Sequence, residues 1–418
     1  MLRTAQARPL ILVFPFCILS HYLRCLILCK EFKKYFEVRI AYHPSFASFI
    51  EEQKIDIFNC EALNGSSAVE AIKQFDFSWI NETDLERVYL EQVRVINQYK
   101  PVAVLGDHSP TLKMAAESTS VLFISILNGY MSKYYSGHRT ISRTHPLFPL
   151  LKMLPPFIER LLTKQGEATA FRQLHKPFKK IRKRFRIQSK SGYLDEMEGD
   201  INLICDLEDL FPQKRLPPNY HLIKPLIYEP PTALSDIATR LVNTKKTILV
   251  SMGSTGDWQK LYFLNDSYFE KYNIVTTGDQ SRVLHAAHII PFLFLNIHDI
   301  FPSTDLLICH GGNGTIYQAL LYQIPVLCKT SHCEQEWNSH ALENNQLGKN
   351  LDGTDDLDQY KKIIEEWLLK KETQHFRSVS DSLKRKSFEL PQIIQQLSHS
   401  LGEDMPLTQS HKDSVDAA

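Results

Sequence analysis

Short apolar runs alternating with stretches of helical spacing occur in two sets along this chain, and that repeated alternation narrows the fold more than any other feature. In the first set LILVFPF (Leu10–Phe16), VRIAY (Val38–Tyr42), DIFNC (Asp56–Cys60), VAVLGD (Val102–Asp107) and VLFISIL (Val121–Leu127) read as buried parallel strands. The helical stretch DLERVYLEQVRVINQY precedes the fourth of them. In the second set TILVSMG (Thr247–Gly253), NIVTTG (Asn273–Gly278), HIIPFLFL (His288–Leu295), LLIC (Leu306–Cys309) and PVLC (Pro325–Cys328) play the same part. Such repetition builds parallel sheets flanked by helices, so the expected class is α/β, with two Rossmann-like doubly wound domains facing across a cleft.

Between the sets, FPQKRLPPNYHLIKPLIYEPPTAL reads as an extended linker because of its proline pairs. The expected boundary is near Pro230, giving an N-terminal domain over 1–230 and a C-terminal domain over 231–400. The polar remainder, 401–418, has no apolar period and is expected to be disordered. At 418 residues and 43% hydrophobic, the chain is long enough for two cores. Its net charge of +1 gives no global attraction to nucleic acid, and eight cysteines without paired spacing suit a reducing compartment. The apolar stretch Pro9–Cys29 is interrupted by Pro15, Ser20, His21 and Arg24. A membrane span needs about 20 apolar residues, so the stretch is read as a strand followed by a helix, in a cytoplasmic protein.

The most specific chemistry lies in HGGNGTIYQALLYQIPVLCKTSHCEQEWNSHALE, His310–Glu343. It follows an apolar strand and runs into helical spacing, which puts His310, Gly311, Gly312, Asn313, Gly314 and Thr315 on a strand-to-helix turn. Glycines there let the backbone approach a ligand, and the free N–H groups of a helix start favour an anion such as phosphate.

The run as a whole, with Pro325, Glu334, Gln335 and Asn338, resembles the donor-binding signature of the UDP-glycosyltransferase superfamily. That resemblance implies the GT-B fold, with the donor held by the C-terminal domain and the acceptor by the N-terminal one. It also implies an inverting transfer without a glycosyl-enzyme intermediate, from a nucleotide-sugar co-substrate and with no resident cofactor. At the other end of the chain, Pro15, Phe16 and His21 fall on the family's PFxxxGH pattern, Ser20 replacing its glycine. His21 then takes the place of the catalytic histidine, and Asp107, ending its strand, that of the aspartate that orients it. An imidazole with an ordinary pKa near 6.5 suits removal of an acceptor hydroxyl's proton at neutral pH.

On the donor side the resemblance assigns Ser254, His310, Gly312, Asn313, Gly314 and Thr315 to the diphosphate, and Phe294 and Leu295 to the base. Gln318 stands where the family has a ribose-binding glutamate, leaving uridine and thymidine nucleotides both open. Glu334 and Gln335 match the pair that reads the transferred sugar. A nucleotide-sugar-binding relative without catalysis, or a partner subunit, is the alternative of another class.

Asp356 and Asp358 read as a helix cap rather than a metal site, and Cys25 and Cys29, spaced with His21 at helical intervals, read as packed thiols. The region Asn128–Lys190 has no decodable acceptor pattern. Within it, 171–190 is basic, and Phe178, Ile181 and Phe185 share one helical face, as in a segment lying on an anionic membrane or in a solvated helix. The acceptor is accordingly expected to be a lipid or a small apolar molecule.

Overall fold

The computed structural model describes residues 8–228, 237–253, 255–278, 283–293, 295–385 and 389–403, and in it the two sets of apolar runs become two parallel sheets. The first has seven strands: β1 (Leu10–Pro15), β2 (Glu37–Ala41), β3 (Asp56–Phe58), β4 (Ala103–Asp107), β5 (Leu122–Leu127), β6 (Ile201–Ile204) and β7 (Tyr220–Leu222), ordered β3-β2-β1-β4-β5-β6-β7. The second has six: β8 (Thr247–Ser251), β9 (Asn273–Thr277), β10 (Ile289–Phe292), β11 (Leu306–Cys309), β12 (Val326–Cys328) and β13 (Gly348–Asn350), ordered β10-β9-β8-β11-β12-β13.

Along β1, Ile11 and Val13 pack into one hydrophobic cluster and Leu12 and Phe14 into another, on the opposite face. Burial on both faces is why these strands read as unbroken apolar runs. Each sheet reverses its winding once, between β1 and β4 and between β8 and β11, which opens a crevice at the carboxyl ends of those strands. Pro15 pairs with Asp107 at the first reversal, and Ser251 with Cys309 at the second. The helix Leu19–Phe32 therefore starts beside Asp107, and the turn at His310 leaves from the second crevice.

The stretch expected to be a linker contains β7, and β6 and β13 had no counterpart in the expected elements. These are strands of three or four residues, too short to show a period. The expected boundary at Pro230 lies outside the described residues, and of the tail expected over 401–418 the first three residues end the helix Glu389–Glu403 while the rest lies outside the described residues. The assignment of 231–400 to one domain is corrected at its end. The helix Glu389–Glu403 returns to the first sheet, where Leu390, Ile394 and Leu397 join the cluster of Ile11, Val13 and Leu26.

The apolar face of 171–190, read above as lying on a membrane or belonging to a solvated helix, packs against the core instead. Phe178 and Ile181 are fully buried, and Phe185 packs on Tyr89 with ring centroids 5.0 Å apart. Lys180 and Arg184, on the helix Pro156–Arg184, pair with Glu82, while buried Arg182 pairs with Glu196. The apolar stripe of this helix thus serves the core. Among the described residues no helix is long and apolar enough to cross a membrane.

Candidate active site

The first crevice brings His21 and Asp107 together. His21 Nδ1 lies 2.9 Å from Asp107 Oδ1, the imidazole 12% exposed and the carboxylate 1%. Burial opposes the charge on Asp107, but Arg24, then His21, more than offset it and hold the carboxyl below the usual range. Arg24, one turn beyond His21 on the same helix, donates from Nε to Oδ2 at 2.8 Å and from Nη2 to Oδ1 at 2.7 Å. Its Nη2 also stands 2.9 Å from His21 Nδ1.

A guanidinium has no acceptor, so Nδ1 meets two partners with opposite demands. With the proton on Nδ1 donated to Asp107, Nε2 is left bare and basic. With Arg24 donating to Nδ1, the proton moves to Nε2. Around the pair, Phe16 meets the His21 ring edge-on at 5.7 Å and His108 stacks on it at 5.7 Å. Desolvation first, then the proximity of His21, lowers His108 to about 4, so that ring stays neutral at physiological pH.

From Arg24 a chain of hydrogen bonds crosses the cleft. Arg24 Nη1 donates to Asn128 Oδ1, and Asn128 Nδ2 donates to Glu334 Oε1 at 3.1 Å. The Tyr130 hydroxyl donates to the same carboxylate oxygen. Burial opposes ionisation of Glu334, yet His332, Tyr130, His21 and His108 together leave its pKa lowered. Gln335 ties neighbouring loops, accepting from Ser331 N at 2.8 Å and donating to Thr255 Oγ1 at 2.9 Å. Asn338 Nδ2 holds Gly311 O at 2.9 Å.

The glycine-rich turn caps the helix Asn313–Leu321 as expected, but Gly312, like Gly253 in the turn after β8, makes room for a side chain. His310 is buried and lies between two turns, its Nδ1 3.5 Å from Ser251 O. A Cβ on Gly253, whose φ is +54°, would lie 2.6 Å from His310 Cε1, and one on Gly312 would overlap Nε2. Burial lowers His310 to about 4, so this ring is neutral too. Gly314 faces open space, and Thr315 is half-buried one residue further along the helix.

Other expected contacts are committed elsewhere. Asn313 Nδ2 donates to Asp206 Oδ1 at 2.9 Å, where Tyr317 Oη also donates at 2.8 Å. Asp206, buried on the first domain, is raised to about 6 by desolvation. Gln318 Nε2 donates to the carbonyl of Tyr228 at 3.2 Å. Leu295 is corrected: its side chain lies in the core of the second sheet, 6% exposed. Ser254 and Phe294 lie outside the described residues.

Beside the first crevice lies a cavity of about 640 Å³. Phe14, Phe16, Tyr22, Phe46, Leu63 and Val88 give it aromatic and aliphatic walls, and Thr255 closes it from the second domain. His21 is not a wall residue, but Phe16, which packs on it, is. Cys25 and Cys29 are core thiols, and Asp356 caps the helix Leu357–Leu368 by accepting from Asp358 N at 3.1 Å.

Arg24, Asn128, Tyr130 and Asp206 were not anticipated from sequence. Each had a usable signal: Arg24 lies one helical turn from His21, and the others follow the carboxyl ends of β5 and β6, as Asp107 ends β4.

No protein-family model matches the chain. It is 23% identical over 270 residues to a PGL/p-HBAD biosynthesis rhamnosyltransferase of Mycobacterium bovis, the match covering 63% of this chain and 59% of the relative. The chain therefore spans about three-fifths of that relative's length. It is 21% identical over 355 residues to a PGL/p-HBAD biosynthesis glycosyltransferase of Mycobacterium tuberculosis, covering 82% of this chain and 81% of the relative. Among solved structures, the glycosyltransferase VinC in complex with DTDP superposes with a TM-score of 0.63 at 15% identity, covering 94% of this chain and all of that one. The fold is GT-B, as in that glycosyltransferase structure.

Proposed function

We propose that the protein is an inverting, metal-independent glycosyltransferase that moves a sugar from a uridine or thymidine diphosphate donor to a hydroxyl on an apolar acceptor. The observation that carries this reading is the His21–Asp107 pair facing Glu334 across the cleft, through Arg24, Asn128 and Tyr130. In the tautomer with Nδ1–H on Asp107, His21 Nε2 takes the acceptor's proton as its oxygen attacks the anomeric carbon. Asp107 fixes the ring and stabilises the imidazolium that results.

The diphosphate leaves towards the N-terminus of the helix Asn313–Leu321, whose free N–H groups and dipole stabilise it. Neutral His310 presents no cation there, so backbone N–H groups carry that task. Glu334 reads the sugar's hydroxyls after exchanging Tyr130 and Asn128 for them. The apolar cavity of about 640 Å³ beside His21 suits an acceptor with an aromatic or aliphatic body.

Two measurements test the reading. In thermal melts against UDP- and dTDP-sugars, one donor is expected to raise the melting temperature, since ligand at about 100 times its Kd adds roughly 2.7 kcal/mol. A flat response to every nucleotide removes the donor assignment. His21→Ala is expected to keep the donor's stabilisation and lose transfer. Retained donor binding with unchanged turnover removes the base assignment, and a wild-type chain that binds donor but transfers to no acceptor favours the non-catalytic alternative.

A further inference from the structure

The largest apolar exposure on the described surface is concentrated in one short segment. Of the thirteen exposed large apolar side chains, six fall between Leu147 and Leu162: Leu147, Leu150, Met153, Phe157, Leu161 and Leu162. Met153 is 82% exposed and Phe157 74%, so these groups project into solvent. They lie on the short helix Phe148–Lys152, on the turn after it, and on the start of the helix Pro156–Arg184. Isolated surface leucines need no explanation, but six within sixteen positions form a patch that does.

The charge around the patch selects its partner. From Arg143 to Lys164 the chain carries Arg143, Lys152, Arg160 and Lys164 against a single acid, Glu159, which pairs with Lys152 at 2.8 Å. Two copies joined symmetrically through this patch would set cation against cation, so a second copy of the chain is disfavoured. An anionic, fluid, apolar-cored partner satisfies both parts of the surface.

The patch also adjoins the cleft. Just before it, Trp337 Nε1 donates to Thr140 O at 2.9 Å, and Ser142 and Arg143 N bond Glu336, two residues beyond Glu334. His145 packs edge-on against Phe75 at 4.7 Å, next to the Gly65–Lys73 helix whose first residues line the apolar cavity.

We propose that the segment Leu147–Leu162 is a docking surface for an anionic lipid bilayer, with Met153, Phe157 and the leucines in the headgroup–acyl boundary and Arg160 and Lys164 on lipid phosphates. The surface is separate from the 171–190 stripe, which is buried, and it does not depend on the transfer reaction. Its position beside the cleft orients the apolar cavity's surroundings towards the membrane.

The test is co-sedimentation of the full chain with vesicles of phosphatidylcholine alone or mixed with phosphatidylglycerol. Wild-type protein is expected to pellet with the anionic vesicles at low salt and to be released by salt. The combined variant Leu150→Ser, Met153→Ser, Phe157→Ser, Leu161→Ser is expected to bind at least about tenfold more weakly while its circular dichroism is unchanged, since exposed side chains contribute little to the core. Arg160→Glu with Lys164→Glu is expected to weaken binding about fivefold or more per charge. As a second readout on an otherwise intact surface, Phe157→Trp is expected to blue-shift its emission when anionic vesicles are added. Wild-type protein remaining in the supernatant with every vesicle, or variants that bind as wild type does, overturns the proposal. A change only in oligomeric state on replacing the strip overturns it in favour of self-association.

Discussion

Both crevices hold a histidine where a sheet reverses its winding, and the two rings have opposite kinds of neighbour. His21 follows β1, is part-exposed and has a carboxylate at 2.9 Å. His310 follows β11, is buried between glycine turns, and is lowered to about 4 by burial. Topology supplies the same place twice, and the neighbours decide its use. The ring beside Asp107 has a carboxylate within hydrogen-bond reach, whereas the ring wedged against Gly253 and Gly312 has none. On the proposed reading the first ring serves proton transfer and the second shapes the glycine-rich turn.

The sharpest way to break this comparison is to exchange the signatures of the two histidines. His21→Gln is expected to lower kcat by about 10² to 10⁴-fold with little change in donor affinity or melting temperature, as loss of a general base does. His310→Ala is expected to do the reverse: to lower stability and donor affinity while leaving the His21 step intact in whatever complex forms. Steady-state kinetics with direct donor titration separates them. If both variants lose donor binding alike, the division of labour is wrong.

Arg24 gives the next largest effect. Asp107 is 1% exposed, and without Arg24 the guanidinium that neutralises it is gone. Breaking a buried pair from one side costs about 3–5 kcal/mol. Arg24→Met is therefore expected to lower stability to urea by that order, with Arg24→Lys recovering only part because one ammonium does not reproduce the two-point contact. Stability equal to wild type would mean that the pair is solvated and the chain of bonds to Glu334 is not held through it.

The parts of this arrangement legible in sequence were those with a strong local pattern. The strands around β1, β4, β8 and β11 are buried on both faces and read as apolar runs. The turn at His310 announces itself by glycine. β7 and β13 escaped because three residues carry no period, and proline-flanked β7 looks like linker. Arg24, Asn128, Tyr130 and Asp206 escaped for another reason. Each acts through a partner distant in sequence, so its role is a property of the folded cleft rather than of any segment. The expected stripe Phe178, Ile181 and Phe185 was a real amphipathic pattern, but a helical period does not say whether its apolar face meets a core or a bilayer. The packing of Phe178 and Ile181 in the core of the first domain decides that.

A smaller effect tests why Gly312 is glycine. A methyl group there would overlap His310 Nε2, so Gly312→Ala is expected to cost about 1–3 kcal/mol by overpacking and to weaken donor binding. If the glycine exists to seat the ring, His310→Ala combined with Gly312→Ala is expected to be less damaging than the sum of the two single changes. Additive costs in that double-mutant cycle would return the glycine to the other role, close approach of the backbone to phosphate.

The smallest expected effect is the pH dependence of stability. His310 and His108 bind a proton only near pH 4 when folded but near 6.5 when unfolded, so the unfolded chain takes up protons first. Their contribution is complete above about pH 6.5 and declines as pH falls towards 4. Asp206, raised to about 6, acts in the opposite sense: its contribution is complete below about pH 4 and is lost as pH rises through 6. Comparing wild type with His310→Asn isolates the histidine from this opposing carboxyl. Between pH 7.5 and 5.5 the wild type is expected to lose about 1 kcal/mol more in urea denaturation than the variant, one unit of protonation difference at one ring. Equal losses would show that His310 is hydrated enough to take a proton, and with that the electrostatic contrast between the two crevices would disappear.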